Sequence, residues 1–274
     1  MYPTILELGP LKIHSFGFML VIAFYSCFYL LDREMKRLGY DRKIASDIVF
    51  AAAVGGILGA KIYYLLENFG RVVNDPIGMI FSGAGLVFYG GLIGGTLGVT
   101  MVLRKANLPW LMFGDIVAPM LILGYGIGRI GCFLVGDDYG LPTHLPWGIP
   151  FENGLPPSTY DIFATYYPWI DLSGFEPGVL AVHPTQLYEL VLALAIFGFL
   201  WKKRLHIKNT GGLFFTYLIF AGCERFLIEF IRTNDKYIAW FSGAQIISIL
   251  IIGIGTYFLY NPFNPGESNQ ENSL

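Results

Sequence analysis

Four basic residues of this 274-residue chain stand inside long apolar runs: Lys61, Arg129, Arg225 and Arg232. An arginine at the centre of a membrane helix costs about 2.5 to 3.5 kcal/mol on the insertion scale, so a charge there marks a functional hypothesis with a partner to be named. Two guanidiniums held together make a preformed clamp for a phosphate, whose oxygens accept bidentate hydrogen bonds. Arg225, Glu229 and Arg232 follow i, i+4, i+7 spacing, which lines one helix face and allows local ion pairs. For Arg232 and Lys61 a second reading stays open, that they snorkel to the interface or pair with Glu229 and Glu189 as buried glue. Arg129 and Arg225 read as the phosphate clamp, with an anionic phospholipid as the ligand.

The elements that must carry these groups are membrane helices. Only 14% of the residues are charged and 54% are apolar, against about 25% charged in a soluble globular chain. A net charge of −2 leaves no basic excess for phosphate backbones, which excludes a nucleic-acid binder. Reading for stretches of about 20 apolar residues gives seven transmembrane helices, at roughly 14–31, 46–66, 83–103, 112–136, 184–201, 212–232 and 241–260. The first lacks a small-residue cleavage site and has its basic residues on the far side, so it reads as a retained helix.

Loop charges orient the chain. Arg33, Lys36, Arg37, Arg42, Lys43, Arg104, Lys105, Lys202, Lys203, Arg204 and Lys208 fall in one alternate set of connections, and only Lys12, Arg71 and Lys236 in the other. The positive-inside rule then puts the N terminus outside and the C terminus in the cytoplasm. The stretch 137–183 has no Lys or Arg and is rich in Pro, Gly and aromatics, which predicts a small external cap between helices four and five. The expected organisation is one all-α membrane domain over 1–260 that includes this cap, followed by a disordered cytoplasmic tail over 261–274.

Depth follows from a rise of about 1.5 Å per residue: Arg129 lies about 25 Å above the cytoplasmic start of its helix, Arg225 about 20 Å, Arg232 about 30 Å and Lys61 about 22 Å. On the descending helices, Tyr89 lies about 9 Å below the outer end, and His183, Gln186, Tyr188 and Glu189 cluster at the other outer end. The polar groups of five helices converge on the outer half of the membrane. Asp115 lies far from them, near the cytoplasmic end of helix four.

Glycines recur four apart within helices, as Gly55 with Gly59, Gly90 with Gly94, Gly91 with Gly95 and Gly124 with Gly128, a spacing that lets membrane helices approach closely. Gly90 and Gly91 have an additional reading, as room for a substrate beside Tyr89. The three cysteines, Cys27, Cys132 and Cys223, sit in apolar runs without C-x-x-C spacing, and the four histidines are scattered, so neither a disulfide nor a metal site is expected.

The run Gly128–Gly140, G-R-I-G-C-F-L-V-G-D-D-Y-G, resembles the signature G-R-x-G-N-F-x-N-x-E-x-x-G of bacterial prolipoprotein diacylglyceryl transferases. HSFGFML at 14–20, FYGGLIGG at 88–95, HPTQLYE at 183–189 and ERFLIEFIR at 224–232 match in order along nearly the whole chain. The resemblance implies transfer of the diacylglyceryl group of phosphatidylglycerol to the lipobox cysteine of a prolipoprotein signal peptide in the bacterial inner membrane, without a cofactor. By the same resemblance, Arg129 and Arg225 hold the lipid headgroup, Glu229 and Arg232 form a neighbouring pair, and Gly140, Gln186, Tyr188 and Glu189 line the headgroup end.

This chain departs from the pattern beside the site. Tyr89 replaces the usual histidine before the Gly-Gly pair, Cys132 and Val135 replace the signature asparagines, Asp137 replaces its glutamate, and Phe16 stands where many members have Tyr. A thiol of pKa about 8.5 must lose its proton to attack, and Asp137, Tyr89 or neither accepts it. Two other classes stay open: a lipid or anion transporter, and a non-catalytic paralogue that binds lipid or signal peptide.

Overall fold

In the computed structural model each of the seven apolar runs holds a helix, and the description covers residues 1–8, 11–81, 87–207, 209–234, 236–238 and 241–262. An antiparallel hairpin, β1 (Thr4–Leu8) and β2 (Leu11–His14), leads into α1 (Ser15–Leu38). There follow α2 (Lys43–Glu67), α3 (Phe69–Asn74), α4 (Pro76–Phe81), α5 (Phe88–Lys105) and α6 (Trp110–Val135). β3 (Ile149–Pro150), α7 (Tyr160–Tyr166) and β4 (Ala181–Val182) precede α8 (Thr185–Lys203) and α9 (Gly212–Ile228). A 3₁₀ turn over Glu229–Ile231, the pair β5 (Lys236–Ile238) and β6 (Phe241–Ser242), and α10 (Gly243–Tyr260) complete the order.

Five of these helices, α1, α2, α6, α8 and α10, are long and apolar enough to cross a membrane, as expected of a multi-pass membrane protein. α9 is shorter, at 17 residues, and carries Glu224 and Arg225; α5 ends on Arg104 and Lys105. The tail expected over 261–274 lies outside the described residues from 263 onward, as do residues 82–86 at the start of the third apolar run.

Two element boundaries differ from the sequence reading. Arg33, Lys36 and Arg37 are not in a loop, because α1 continues to Leu38. Its last turns are held by Arg37 Nε donating to Glu34 at 2.8 Å, and Lys36 and Arg37 complement the carbonyl end of the helix dipole. The run 212–232 is not helical throughout. Leu141 N–H donates to the Ile231 carbonyl at 2.8 Å and Arg232 forms an antiparallel bridge with Gly140, so that backbone is engaged outside the helix and Arg232 turns extended, with φ −91° and ψ 162°.

The chain forms two compact units, residues 26–113 and residues 1–25 with 114–274. In the first, α2 and α5 meet backbone to backbone. A Cβ on Gly59 would fall 2.3 Å from the Gly90 carbonyl oxygen, and one on Gly94 would fall 2.2 Å from that of Gly55, so only glycine permits this approach.

In the second unit, α6, α8 and α9 enclose a core of Ala118, Ile122, Ala193, Leu200 and Leu213. Asp115 fixes the entry into α9, its two oxygens accepting from Gly211 N–H at 2.6 Å and Phe214 N–H at 2.8 Å, which suits an anion at a helix N-terminus. α10 starts with a capping box, Ser242 and Gln245 exchanging side-chain and backbone hydrogen bonds. The stretch 137–183 has its own core of Tyr139, Phe151, Phe163, Leu172, Leu180 and Val182. Ser158 Oγ donates to the Leu180 carbonyl at 2.8 Å and accepts from Phe151 N–H at 2.9 Å, tying the two ends of this core together.

Candidate active site

Where α6 ends, the chain reverses through two left-handed residues. Gly136, at φ 77°, donates its N–H to the Cys132 carbonyl at 2.8 Å, and a Cβ there would meet Gly154 Cα at 2.8 Å. Asp138 follows at φ 59°, a conformation that Asp tolerates better than most residues. Its backbone carbonyl accepts from Thr185 Oγ at 2.8 Å and from Arg232 Nη1 at 3.3 Å, while Gln186 donates to the Asp137 carbonyl. The turn thereby delivers the Asp138 carboxylate to the arginines.

Arg129, on α6, donates from Nη1 to Asp138 Oδ2 at 2.8 Å and places Nε 3.1 Å from Glu189 Oε2. Its guanidinium lies 4.8 Å from the Tyr125 ring centroid, one turn earlier. Arg225, on α9, pairs with Glu229 Oε2 at 2.7 Å and lies 3.8 Å from Glu189 Oε1. Arg232 pairs with Asp138 Oδ1 at 2.8 Å and lies 3.5 Å from Glu189 Oε1 and 3.9 Å from Glu229 Oε2. Asn234 Nδ2 donates to the other Glu229 oxygen at 2.8 Å. Glu189, with none of its side chain exposed, is the hub shared by all three guanidiniums.

The arginines are unequally open. Arg129 and Arg225 keep 16% and 27% of their side chains exposed, and Arg232 only 7%. Arg129 and Arg225 therefore keep guanidinium edges accessible, whereas Arg232 is nearly enclosed among Asp138, Glu189 and Glu229. Partial burial pushes the Asp138 carboxyl up, but Arg232 and Arg129 outweigh it and hold the group below the usual carboxylate range. Asp137 goes the other way, raised by burial and by the neighbouring Asp138 charge.

Cys132 is buried, with Sγ 3.8 Å from Arg129 Nη1. Cys132, Asp137 and Asp138 bring potential metal-ligand atoms within 4.8 Å of one another, yet Asp138 is already engaged by two guanidiniums. Tyr188 Oη accepts from Trp147 Nε1 at 2.8 Å and lies 3.3 Å from His183 Nδ1, joining the start of α8 to the 137–183 segment. Gly140 lies against the same seam: a Cβ there would fall 2.4 Å from the Ile231 carbonyl oxygen. Gly131 lets Phe16 and Met19 of α1 come onto α6, its Cβ position lying 3.1 Å from the Phe16 ring.

The structure thus brings together Arg129, Cys132, Asp137, Gln186, Glu189, Arg225, Glu229 and Arg232 in one unit. Tyr89, Gly90, Gly91 and Lys61 belong to the other unit, where Gly90 abuts Gly59 and Ala60 and the Lys61 ammonium lies 5.4 Å from the Tyr64 ring centroid. Sequence reasoning missed Asp138, Tyr125, Glu224 and Asn234. Tyr125 was findable as the aromatic one turn before Arg129; Asp138 was not, because spacing alone cannot choose between adjacent aspartates.

The model of the prolipoprotein diacylglyceryl transferase family matches residues 3–261. The chain belongs to that family. A family member from Clostridium tetani, named phosphatidylglycerol–prolipoprotein diacylglyceryl transferase, is 34% identical over 263 residues, covering 95% of this chain and 97% of its own. Transferases of the same name from Stenotrophomonas maltophilia and Vibrio atlanticus are 34% and 30% identical, covering 94% and 98% of this chain and 90% and 93% of their own. The family match spans all the residues that build the arginine cluster.

Proposed function

We propose that this chain transfers the diacylglyceryl group of phosphatidylglycerol to the lipobox cysteine of prolipoproteins, the first step of bacterial lipoprotein maturation. The observation that carries this reading is the pair of partly exposed guanidiniums, Arg129 and Arg225, held around the buried Glu189. The names of the relatives favour this enzyme over a transporter or a non-catalytic paralogue.

In the reaction the substrate thiolate attacks the glyceryl carbon esterified to phosphate. A C–S bond forms, the C–O bond to phosphate breaks, and its electron pair leaves with glycerol phosphate. Arg129 and Arg225 hold the phosphate and meet the charge that grows on the leaving oxygen, which is where preorganised donors lower a barrier most. Asp137 takes the thiol proton: burial raises its carboxyl toward the thiol's range, which makes it the better base. Tyr89, carried by a helix that glycines press onto α2, is the second group for orienting a donor or handling the proton. Gln186, Tyr188, Glu189, Glu229, Arg232, Cys132 and Gly140 shape the headgroup end.

Seven helices cross the bacterial inner membrane in this reading, N terminus outside and C terminus cytoplasmic, with 137–183 as an external cap. Lipid and exported signal peptide then meet at the outer leaflet. The test is purified protein with radiolabelled phosphatidylglycerol and a lipobox peptide. Labelled thioether peptide is expected from the wild type and none from Arg129→Ala or Arg225→Ala; lipid binding without labelled peptide would leave the non-catalytic reading, and full activity in either variant would sink the clamp.

A further inference from the structure

One buried acid near the cluster has no part in the chemistry above. Glu224, on α9, is 5% exposed and forms no ion pair among the described residues. Asp138, Glu189 and Glu229 already match Arg129, Arg225 and Arg232 one for one. Glu224 would be a further negative charge in a site that must receive an anionic phosphate, and an unpaired buried carboxylate is costly enough that such groups take up a proton instead.

The Tyr125 hydroxyl lies between Glu224 and Glu189. Its oxygen is 3.0 Å from Glu189 Oε1 and 3.4 Å from Glu224 Oε1. A tyrosine has one hydrogen to give, so it cannot donate to two carboxylates at once. Glu189 is the ionised partner of three guanidiniums and is the natural acceptor. The contact to Glu224 then needs its hydrogen from Glu224. The groups facing Glu224 are Arg129 and Tyr125 on α6, Glu189 on α8, and Arg225 and Tyr217 on its own helix; α10, packed against α9, contains no Asp, Glu, Lys, Arg or His.

We infer that Glu224 and Tyr125 are positioning residues for the phosphate clamp: neutral Glu224 donates to the Tyr125 hydroxyl, Tyr125 donates to Glu189 Oε1, and the same tyrosine ring backs Arg129. The chain fixes Glu189 so that its other oxygen, Oε2, meets Arg129 Nε, and it lets a phosphate enter without facing a charge on Glu224 as well.

The inference rests on the proposed transfer reaction, and its test separates the two. In the labelled-lipid assay, Glu224→Ala and Tyr125→Phe each lower kcat about ten-fold with the phosphatidylglycerol KM within about two-fold, the pattern of a lost transition-state interaction. Their double variant is no worse than either alone, as expected of residues acting in one chain. Glu224→Gln, whose amide can donate the same bond, recovers most of what Glu224→Ala loses. Infrared difference spectra at neutral pH show a protonated carboxyl band in the wild type that is missing from Glu224→Gln. Glu224→Gln as impaired as Glu224→Ala, Tyr125→Phe at wild-type kcat, or the absence of the carboxyl band would each overturn the inference. A wild type that transfers no lipid would instead remove the functional reading, and the infrared band would still decide the state of Glu224.

Discussion

Asp138 bridges Arg129 and Arg232, taking one guanidinium on each carboxylate oxygen at 2.8 Å, from a left-handed backbone position just past the end of α6. The acid at the signature's glutamate position is its neighbour Asp137, whose carbonyl accepts from Gln186. Exchanging Asp138 for Asn should therefore lower transferase activity by about 100-fold or more, as expected when a charge-assisted donor array loses its anchor. Asp137→Asn should act on the proton-transfer limb of the pH–rate profile, and equal effects on clamp affinity from both variants would contradict the assignment. Initial rates over a range of lipid concentrations distinguish the two.

Asp138 also gives an acid-stability signature. Its carboxyl is held below the usual range in the folded protein, so the folded state binds fewer protons than the unfolded one. Its stabilising contribution is present above the ordinary carboxylate range and is lost as pH falls through the lowered folded-state value. Thermal melting in detergent should fall more steeply between neutral and acid pH for the wild type than for Asp138→Asn.

Glu189 is fully buried among three guanidiniums. Glu189→Ala leaves those charges without their hub, a change worth about 3 to 5 kcal/mol where one member of a buried pair is removed. The expected result is a loss of folded protein on size-exclusion chromatography together with loss of activity. A normally folded Glu189→Ala with wild-type kcat would contradict the hub.

Arg232 should separate from the two open arginines. With 7% of its side chain exposed, it is held against Asp138 at 2.8 Å. Arg232→Lys keeps the charge but loses the bidentate geometry, and should lower the melting temperature while raising the phosphatidylglycerol KM no more than about three-fold. Arg129→Lys and Arg225→Lys should show the reverse, with activity lost and melting little changed.

Gly59 and Gly94 test the α2–α5 contact. A methyl at Gly59 would sit 2.3 Å from the Gly90 carbonyl oxygen, and backbone cannot yield as a flexible side chain can. Gly59→Ala should destabilise by about 1 to 3 kcal/mol, the usual range for overpacking. Gly17→Ala, where a Cβ meets nothing within 4 Å, is the matched control.

The sequence by itself determined the apolar runs, the family and most of the cluster. Length and hydropathy suffice to place helices because a bilayer demands long apolar segments with their backbone bonds satisfied internally. Burial of a charge is costly enough that Arg129 and Arg225 stand out in a string of letters. Tertiary structure decided which carboxylate meets which guanidinium. Asp138 outranks Asp137 because Gly136 and Asp138 turn left-handed and Thr185, Gln186 and Arg232 catch the carbonyls of the turn. α9 stops at Ile228 because the Ile231 and Arg232 backbone pairs with Gly140 and Leu141, some ninety residues earlier. Such pairings depend on dihedral angles and distant hydrogen bonds, which residue type and spacing do not encode locally.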